Sequence, residues 1–149
     1  MSSKSLAEKL QANGAASVRA GARRPTAARR DRVPLILVVD DDDGVRELAS
    51  AILQEAGYRV LEAETGQRAI MLFEANPDID LIFTDLVMPG LDGFKLADMT
   101  KFKRPDIKIL YATAFMDLAH EKLGVVHGHI LKKPYRPTQL EQIVKDTLG

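Results

Sequence analysis

The sequence predicts an α/β fold, a doubly wound, five-stranded parallel sheet in the strand order 2-1-3-4-5 with helices on both faces. Short apolar runs alternate along the chain with segments whose apolar residues recur every three or four positions, as strands and helices do in such folds. Right-handed crossovers then leave few topologies. The two most apolar long runs are expected at the centre of the sheet and an alternating one at its edge.

The first strand and helix have the clearest pattern. Leu35–Val39 is an unbroken apolar run, typical of a strand covered on both faces. The amphipathic helix that follows can be capped by Asp42 or Asp43, and Gly57 suits its end. Residues 58–61 alternate in polarity, which predicts the edge strand.

The later elements continue the alternation. Thr65 is a suitable cap for a second helix that stops at Asn76-Pro77. In order, we then expect a strand at 81–83, a helix at Gly93–Lys103, a strand at 107–112, a short helix at 117–123 closed by Gly124, and a strand at 130–131. Thr138 and Glu141 predict a capping box for the last helix.

Charge divides the chain into two parts although its formal net charge is zero. Residues 1–32 hold eight Lys and Arg against two acidic residues, a net +6, so residues 33–149 carry a net −6. The first part also has too few large aliphatic residues to offset the entropy of ordering it. We therefore expect a basic, disordered tail at 1–32 and one folded domain at 33–149. The tail's arginines suit an acidic partner, a nucleic-acid backbone or the acidic domain itself.

Composition excludes several classes of protein. The chain has no cysteine, which rules out disulfide scaffolds, Cys-ligated zinc or iron–sulfur sites and thiol catalysis. It has no apolar run near the roughly 18 residues that a spanning helix needs, and no secretory signal pattern at its start. A soluble protein is expected.

The residues with chemical potential all directly follow predicted strands. Asp40 and Asp41 follow the first strand and Asp85 follows the third. Thr113 follows the fourth strand and Lys133 the fifth. Because the carboxyl ends of parallel strands share one edge, where open α/β sheets bind their ligands, we expect these five residues to meet in one crevice.

Three carboxylates in one crevice need a counter-charge. Two unit charges 4 Å apart repel by roughly 4 kcal/mol at an effective dielectric of about 20. A Mg²⁺ ion relieves this repulsion, and together with Lys133 it balances the charges of Asp40, Asp41 and Asp85. A phosphoryl group could then join one carboxylate, so the residues indicate metal-assisted phosphoryl transfer.

Four motifs carry a specific resemblance. They are Val38-Val39-Asp40-Asp41, Thr84-Asp85-Leu86-Val87-Met88-Pro89-Gly90-Leu91-Asp92-Gly93, Ala112-Thr113-Ala114, and Lys132-Lys133-Pro134-Tyr135. In order and approximate spacing, residues 35–149 resemble the response-regulator receiver domains of two-component signalling, which have a flavodoxin-like fold. Little chain follows the last predicted helix, so the resemblance is to the stand-alone, chemotaxis-receiver-like type without a DNA-binding output domain.

The resemblance implies a role for each acid. Asp85 would accept a phosphoryl group from the phosphohistidine of a sensor histidine kinase or a histidine phosphotransfer protein. Asp41, Asp85 and the Val87 backbone carbonyl would bind Mg²⁺ directly, and Asp40 would act largely through water.

It also implies roles for the remaining residues. Lys133 would pair with a phosphoryl oxygen, and the bond between Lys133 and Pro134 would be cis. The Thr113 hydroxyl and the Ala114 backbone N–H would stabilise the phosphorylated form. Such a domain promotes its own phosphorylation and is not a turnover enzyme, and it signals by docking to a partner protein or by relaying the phosphoryl group.

Two features depart from the family pattern, and two further positions influence how long the phosphoryl group persists. Ile130, beside His129, stands where many receivers have an aromatic residue, and residues 115–131 form a shorter stretch than usual. Val87 and Phe115 occupy the two positions that tune phosphoryl lifetime. Neither side chain can orient an attacking water, so we expect slow dephosphorylation.

Three alternatives remain open at this point. Asp40, Asp41 and the two acids after them could form only a solvated, helix-capping turn. The chain could be a degenerate receiver that acts as a structural binding module. It could also be a Mg²⁺-dependent phosphatase with an aspartyl-phosphate intermediate, which would need a general acid near Asp85 where the sequence has Val87.

Overall fold

The computed structural model describes residues 32–122 and 129–149, in which five strands alternate with five helices. The strands are β1 Leu35–Val39, β2 Arg59–Ala63, β3 Ile79–Asp85, β4 Lys108–Thr113 and β5 His129–Lys132. The helices are α1 Asp43–Glu55, α2 Gly66–Ala75, α3 Gly93–Lys103, α4 Met116–Lys122 and α5 Pro137–Leu148. Residues 1–31 of the predicted tail and the predicted helix end at Gly124 lie outside the described residues.

The five strands form one parallel sheet in the order β2-β1-β3-β4-β5, which confirms the predicted topology. β1 is buried along its whole length, whereas β2 at the edge is partly exposed. Helices α2, α3 and α4 contribute to the core on one face of the sheet, and α1 and α5 to the core on the other. None of the described helices combines the length and apolar character that crossing a membrane requires.

Helix starts follow local sequence. Asp42, Thr65 and Asp92 each accept a hydrogen bond from the backbone N–H three residues later, at the starts of α1, α2 and α3. Gly57, with φ +102°, follows the end of α1, where a left-handed residue closes a helix with least strain.

The predicted capping box at Thr138 and Glu141 is wrong. Helix α5 begins two residues earlier than this cap implies, at Pro137, whose fixed φ and missing N–H suit a first helical position. The side chain that reaches back is that of Gln139, whose Oε1 accepts a 2.7 Å hydrogen bond from the Arg136 backbone N–H. The proline therefore sets the start of the helix and moves the cap with it.

A buried arginine joins elements at the amino edge of the sheet, opposite the end where the strands finish. Arg104, which caps the end of α3, is 7% exposed. Its Nη1 donates to the carbonyls of Pro77 (3.0 Å) and Ile79 (2.6 Å). Its guanidinium carbon lies 4.3 Å from the centre of the Phe73 ring. The side chain thus connects α2, α3 and the start of β3.

A second arginine lies near this edge. Arg32, which the charge count groups with the tail, has Nη2 3.3 Å from Asp80 and Nη1 3.8 Å from Asp78. Asp80 also accepts a 2.9 Å hydrogen bond from the Leu35 backbone N–H. Arg32 is therefore tied to the folded domain where β1 begins.

Candidate functional site

Three carboxylates meet at the carboxyl edge of the sheet. Asp40 and Asp41 directly follow β1, and Asp85 is the last residue of β3. One carboxylate oxygen from each lies within 4.8 Å of the other two. Asp40 is buried, Asp85 is intermediate and Asp41 is exposed, so the cluster opens to solvent on the Asp41 side. The structure brings together the acids that the sequence analysis expected to meet.

Lys133 reaches the same cluster from the end of β5. Its Nζ lies 2.9 Å from Asp40 Oδ2 and 3.5 Å from Asp85 Oδ1. Its backbone N–H donates to the Thr113 carbonyl at 2.8 Å, which continues the pairing of β5 with β4. The Lys133-Pro134 bond is cis, as the resemblance implied. One ammonium group therefore bridges two of the three acids.

The proton affinities of Asp85 and Lys133 are both changed by this arrangement. Burial raises the pKa of Asp85, and Asp40 acts in the same direction, while Lys133 offsets only part of the rise. Burial alone would lower the pKa of Lys133, but its hydrogen bond to Asp40 and the charge of Asp85 outweigh it and raise the pKa. The site therefore keeps its ammonium charged and disfavours the ionised form of Asp85.

Thr113, Ala114 and Phe115 form the rim at the end of β4. Thr113 is fully buried, and its Oγ1 accepts a 2.9 Å hydrogen bond from the Phe115 backbone N–H. Ala114 is exposed, and the Phe115 side chain is 58% exposed. The roles of the Thr113 hydroxyl and the Ala114 N–H remain predictions.

The loop after β3 carries Val87, which is 42% exposed. Its backbone N–H donates to the Asp85 carboxylate and lowers part of that group's raised pKa. The contribution of its carbonyl to metal binding remains a prediction.

Two glycines hold this loop close to its neighbours. A Cβ at Gly93 would overlap the Asp85 carbonyl, and one at Gly66 would overlap the Leu91 carbonyl. Gly93 belongs to the motif quoted above, but the sequence analysis missed Gly66, which lies in α2. No local pattern marks it, because the contact joins segments 25 residues apart in sequence.

Arg46 is a further residue that the sequence analysis missed. Its side chain is 12% exposed. Its Nη1 donates to the Asp40 carbonyl at 2.9 Å, its Nη2 contacts Asp43 at 2.8 Å, and its Nε contacts Glu62 at 3.1 Å. The one available signal was a lone arginine inside an acidic stretch.

An aromatic residue, Tyr111, lies on β4 directly beside Ile130 of β5. Ile130 is partly buried and packs in the same core as Tyr111 and Phe94. The Tyr111 and Phe94 ring centres are 6.2 Å apart. Burial, with a smaller contribution from Asp98, raises the pKa of Tyr111 to about 12. The departure at position 130 is thus accompanied by a buried tyrosine on the adjacent strand.

The donor set fits a hard divalent cation. Three carboxylates and one ammonium leave a formal charge of −2, and carboxylate oxygens suit Mg²⁺. Within the described residues, this is the one group of three or more acidic, His or Cys side chains close enough to share an ion.

Comparisons with known proteins agree on one family. The model of the response regulator receiver domain matches residues 36–145. The chemotaxis protein CheY4 of Vibrio cholerae is 27% identical with a TM-score of 0.71, over 78% of this chain and 99% of that one. The response regulator TrrA of Thermotoga maritima, solved in complex with Mg²⁺-BeF, is 33% identical with a TM-score of 0.71, over 77% and 99%.

The curated relatives are longer proteins. A cyclic di-GMP phosphodiesterase of Thermotoga maritima is 34% identical over 101 residues, which cover 66% of this chain and 27% of that protein. The chain spans between about a quarter and a half of the length of the first curated relatives that it matches.

Proposed function

The chain belongs to the response regulator receiver domain family, and on that premise we propose that Asp85 accepts a phosphoryl group in a Mg²⁺-dependent reaction. The donor is the phosphohistidine of a histidine kinase or a histidine phosphotransfer protein. The observation that carries the proposal is the meeting of three carboxylates with the Lys133 ammonium at one edge of the sheet.

The contacts of the three acids favour Asp85 as the acceptor. Both oxygens of Asp40 are engaged, Oδ1 by the Asp42 backbone N–H and Oδ2 by Lys133, each at 2.9 Å. Asp41 is exposed at the outer side of the cluster. Asp85 is held more loosely by Lys133, at 3.5 Å, so one of its oxygens can act as the nucleophile.

The chemical step needs the residues described, Mg²⁺ and the phosphoryl donor. An Asp85 carboxylate oxygen forms a P–O bond while the P–N bond of the donor breaks, and the leaving imidazole takes up a proton. Asp41, Asp85 and the Val87 carbonyl would hold Mg²⁺, with Asp40 acting through water, and the ion would supply positive charge to the transferring group. Lys133 pairs with a phosphoryl oxygen, and the Thr113 hydroxyl and Ala114 N–H hold the others.

The phosphorylated domain then acts through protein contacts in the cytoplasm, by docking to a target or by passing the group on. Residues 33–149 form the phospho-accepting domain, and the basic residues before it contact an acidic partner. The exposed Val87 and Phe115 side chains offer no group to orient water, so the acyl phosphate decays slowly. This is signalling by a modified residue, not turnover of a substrate.

Acetyl phosphate provides a direct test. We expect the intact protein to gain the mass of one phosphoryl group with Mg²⁺, and to gain nothing with EDTA or as Asp85→Asn. Asp42→Asn is the matched control. Asp42 directly follows Asp41 in sequence, but its side chain caps α1, so the variant protein should be labelled normally. Labelling of Asp85→Asn to the same extent as the wild type would defeat the assignment.

The lifetime of the label tests the second part of the proposal. After the donor and Mg²⁺ are removed, the label should persist long enough for separation and mass measurement. Phe115 would also cover the acyl phosphate from the rim of the site, so Phe115→Ala, which keeps the acceptor, should shorten the lifetime. Loss of the wild-type label within seconds would contradict slow decay.

A further inference from the structure

Arg46 is not a member of the acid cluster, but it binds the backbone of one of its residues, Asp40. The Arg46 guanidinium binds three oxygens from three places, namely the Asp40 carbonyl, the Asp43 carboxylate and the Glu62 carboxylate. Asp43 opens α1 and Glu62 lies near the end of β2. A planar guanidinium presents five N–H donors in a fixed fork that spans separate acceptors, whereas a lysine ammonium offers three donors from a single nitrogen.

The segment that Arg46 holds is under electrostatic strain. Residues 40–43 are four consecutive aspartates, and Asp40 and Asp41 also face Asp85. Other contacts that restrain this segment include those from the Asp40 N–H to the Ala63 carbonyl (3.2 Å) and from the Asp42 N–H to Asp40 Oδ1 (2.9 Å). The contact from Arg46 fixes the Asp40 carbonyl on the other side of the same residue.

We propose that Arg46 is a positioning residue for the cation site, which fixes the backbone of Asp40 and Asp41 so that their carboxylates are held ready for Mg²⁺. Arg46 does this through the Asp40 carbonyl and the two neighbouring elements, without contributing a ligand. The inference rests on the proposed function for the identity of the cation. Groups that orient metal ligands in this indirect way typically affect affinity by about 10- to 100-fold.

The sign of the effect separates positioning from simple charge. Arg46 is a cation near the acids, so removing its charge without moving them would strengthen Mg²⁺ binding. Loss of positioning would weaken it. The two explanations therefore predict opposite changes for the same substitution.

The experiment is a titration of the full chain with Mg²⁺ alone, followed by calorimetry, without a phosphoryl donor. We expect Arg46→Gln to weaken Mg²⁺ binding about tenfold or more and Arg46→Lys to weaken it less. Unchanged or tighter binding by a folded Arg46→Gln protein would overturn the proposal. If Arg46→Gln does not fold, Arg46→Lys decides, and affinity equal to the wild type then overturns it.

Arg59→Gln is the matched control. Arg59 also binds a backbone carbonyl, that of Val33 at 3.1 Å, and a carboxylate, that of Asp78 at 3.4 Å. It lies at the start of β2 instead of near its end, so its replacement should leave Mg²⁺ affinity unchanged. An equal loss in both variants would assign the effect to general destabilisation and would also overturn the proposal.

A second readout shows whether the catalytic groups themselves are affected. In the acetyl phosphate reaction, Arg46→Gln should need more Mg²⁺ for half-maximal labelling, with the maximal rate little changed. A lower maximal rate at saturating Mg²⁺ would contradict a pure positioning role. Because the calorimetric titration involves no phosphoryl transfer, the role of Arg46 and the acceptor role of Asp85 can fail separately.

Discussion

The amino and carboxyl edges of the sheet treat buried charge in opposite ways. At the amino edge, the Arg104 guanidinium lies against Phe73 and donates hydrogen bonds to the carbonyls of Pro77 and Ile79. At the carboxyl edge, three carboxylates lie within reach of one another and Lys133 bridges two of them. The first arrangement joins elements together, whereas the second keeps like charges close.

Within one sheet, the amino edge therefore contributes to stability, and the carboxyl edge carries the candidate functional site. Removing a buried arginine from the carbonyls it binds leaves their hydrogen bonds unmade, so the Arg104 contacts favour the folded state, whereas crowded carboxylates repel one another until a divalent cation balances them. The acid cluster therefore lowers the free energy of unfolding of the metal-free domain, and the contacts at the amino edge offset part of that loss. Four predictions test this comparison, from the largest effect to the smallest.

Arg104→Ala should lower the free energy of unfolding by about 3 kcal/mol, because it leaves the Pro77 and Ile79 carbonyls without this donor and removes the contact with Phe73. Urea unfolding measures the change. Lys103→Ala is the control, since its ion pair with Glu74 is about half exposed and should contribute less than about 1 kcal/mol. Equal losses in the two variants would show that the buried arginine has no special role.

Mg²⁺ should stabilise the protein through the carboxyl edge alone. At a concentration ten times its Kd, the ion should raise the free energy of unfolding by about 1.4 kcal/mol, and EDTA should reverse the gain. Thermal unfolding with and without the ion measures it. Asp41→Asn should lose most of the gain and Asp78→Asn, at the amino edge, should keep it. A gain retained by Asp41→Asn would place the ion elsewhere.

Asp85→Asn should raise the stability of the metal-free protein by about 1 kcal/mol at neutral pH. The pKa of Asp85 is raised in the folded state, so its ionisation costs stability as pH rises from 3.8 through the folded-state pKa. The stability difference between Asp85→Asn and the wild type should therefore grow as the pH rises across that window. Below the window the difference should no longer change with pH. Urea unfolding in EDTA over this pH range provides the measurement.

The other edge supplies the contrast for this prediction. Asp80 accepts hydrogen bonds from Leu35 and Arg32, so Asp80→Asn should lower stability under the same conditions. A stabilising Asp80→Asn or a destabilising Asp85→Asn would remove the distinction between the two edges.

Arg32→Ala should have the smallest effect, a loss of about 0.5 kcal/mol that shrinks as salt is added. Its contacts with Asp78 and Asp80 are partly exposed and are therefore screened. Unfolding at low and high ionic strength tests this. A loss that does not depend on salt would indicate that Arg32 acts through its hydrogen bond to the Asp78 carbonyl instead.

Sequence reasoning predicted the topology and the meeting of the three acids with Lys133 because each depends on a pattern with a physical origin. A run such as Leu35–Val39 is typical of a strand covered on both faces, and residues that follow the strands of a parallel sheet gather at one edge. The caps at Asp42 and Thr65 likewise depend on contacts only three residues apart.

The features that sequence reasoning missed depend on approaches between distant segments. Arg46 meets Glu62 only after β2 has paired with β1, and Gly66 meets Leu91 only after α2 has packed beside the loop. At α5 the error had a local cause, because two overlapping cap patterns compete and Pro137 decides between them. Element types were thus easier to predict than the residues that hold elements in place.

The position of Tyr135 has a practical consequence. Its ring meets Phe83 edge-on at 6.1 Å, and burial, with smaller contributions from Asp40 and Asp85, raises its pKa to about 12. Because the chain contains no tryptophan, tyrosine dominates its near-ultraviolet absorption and emission. Tyr135 is therefore an intrinsic chromophore whose ionisation is coupled to the charge of these acids, and comparison with Tyr135→Phe would isolate its signal from those of the other two tyrosines.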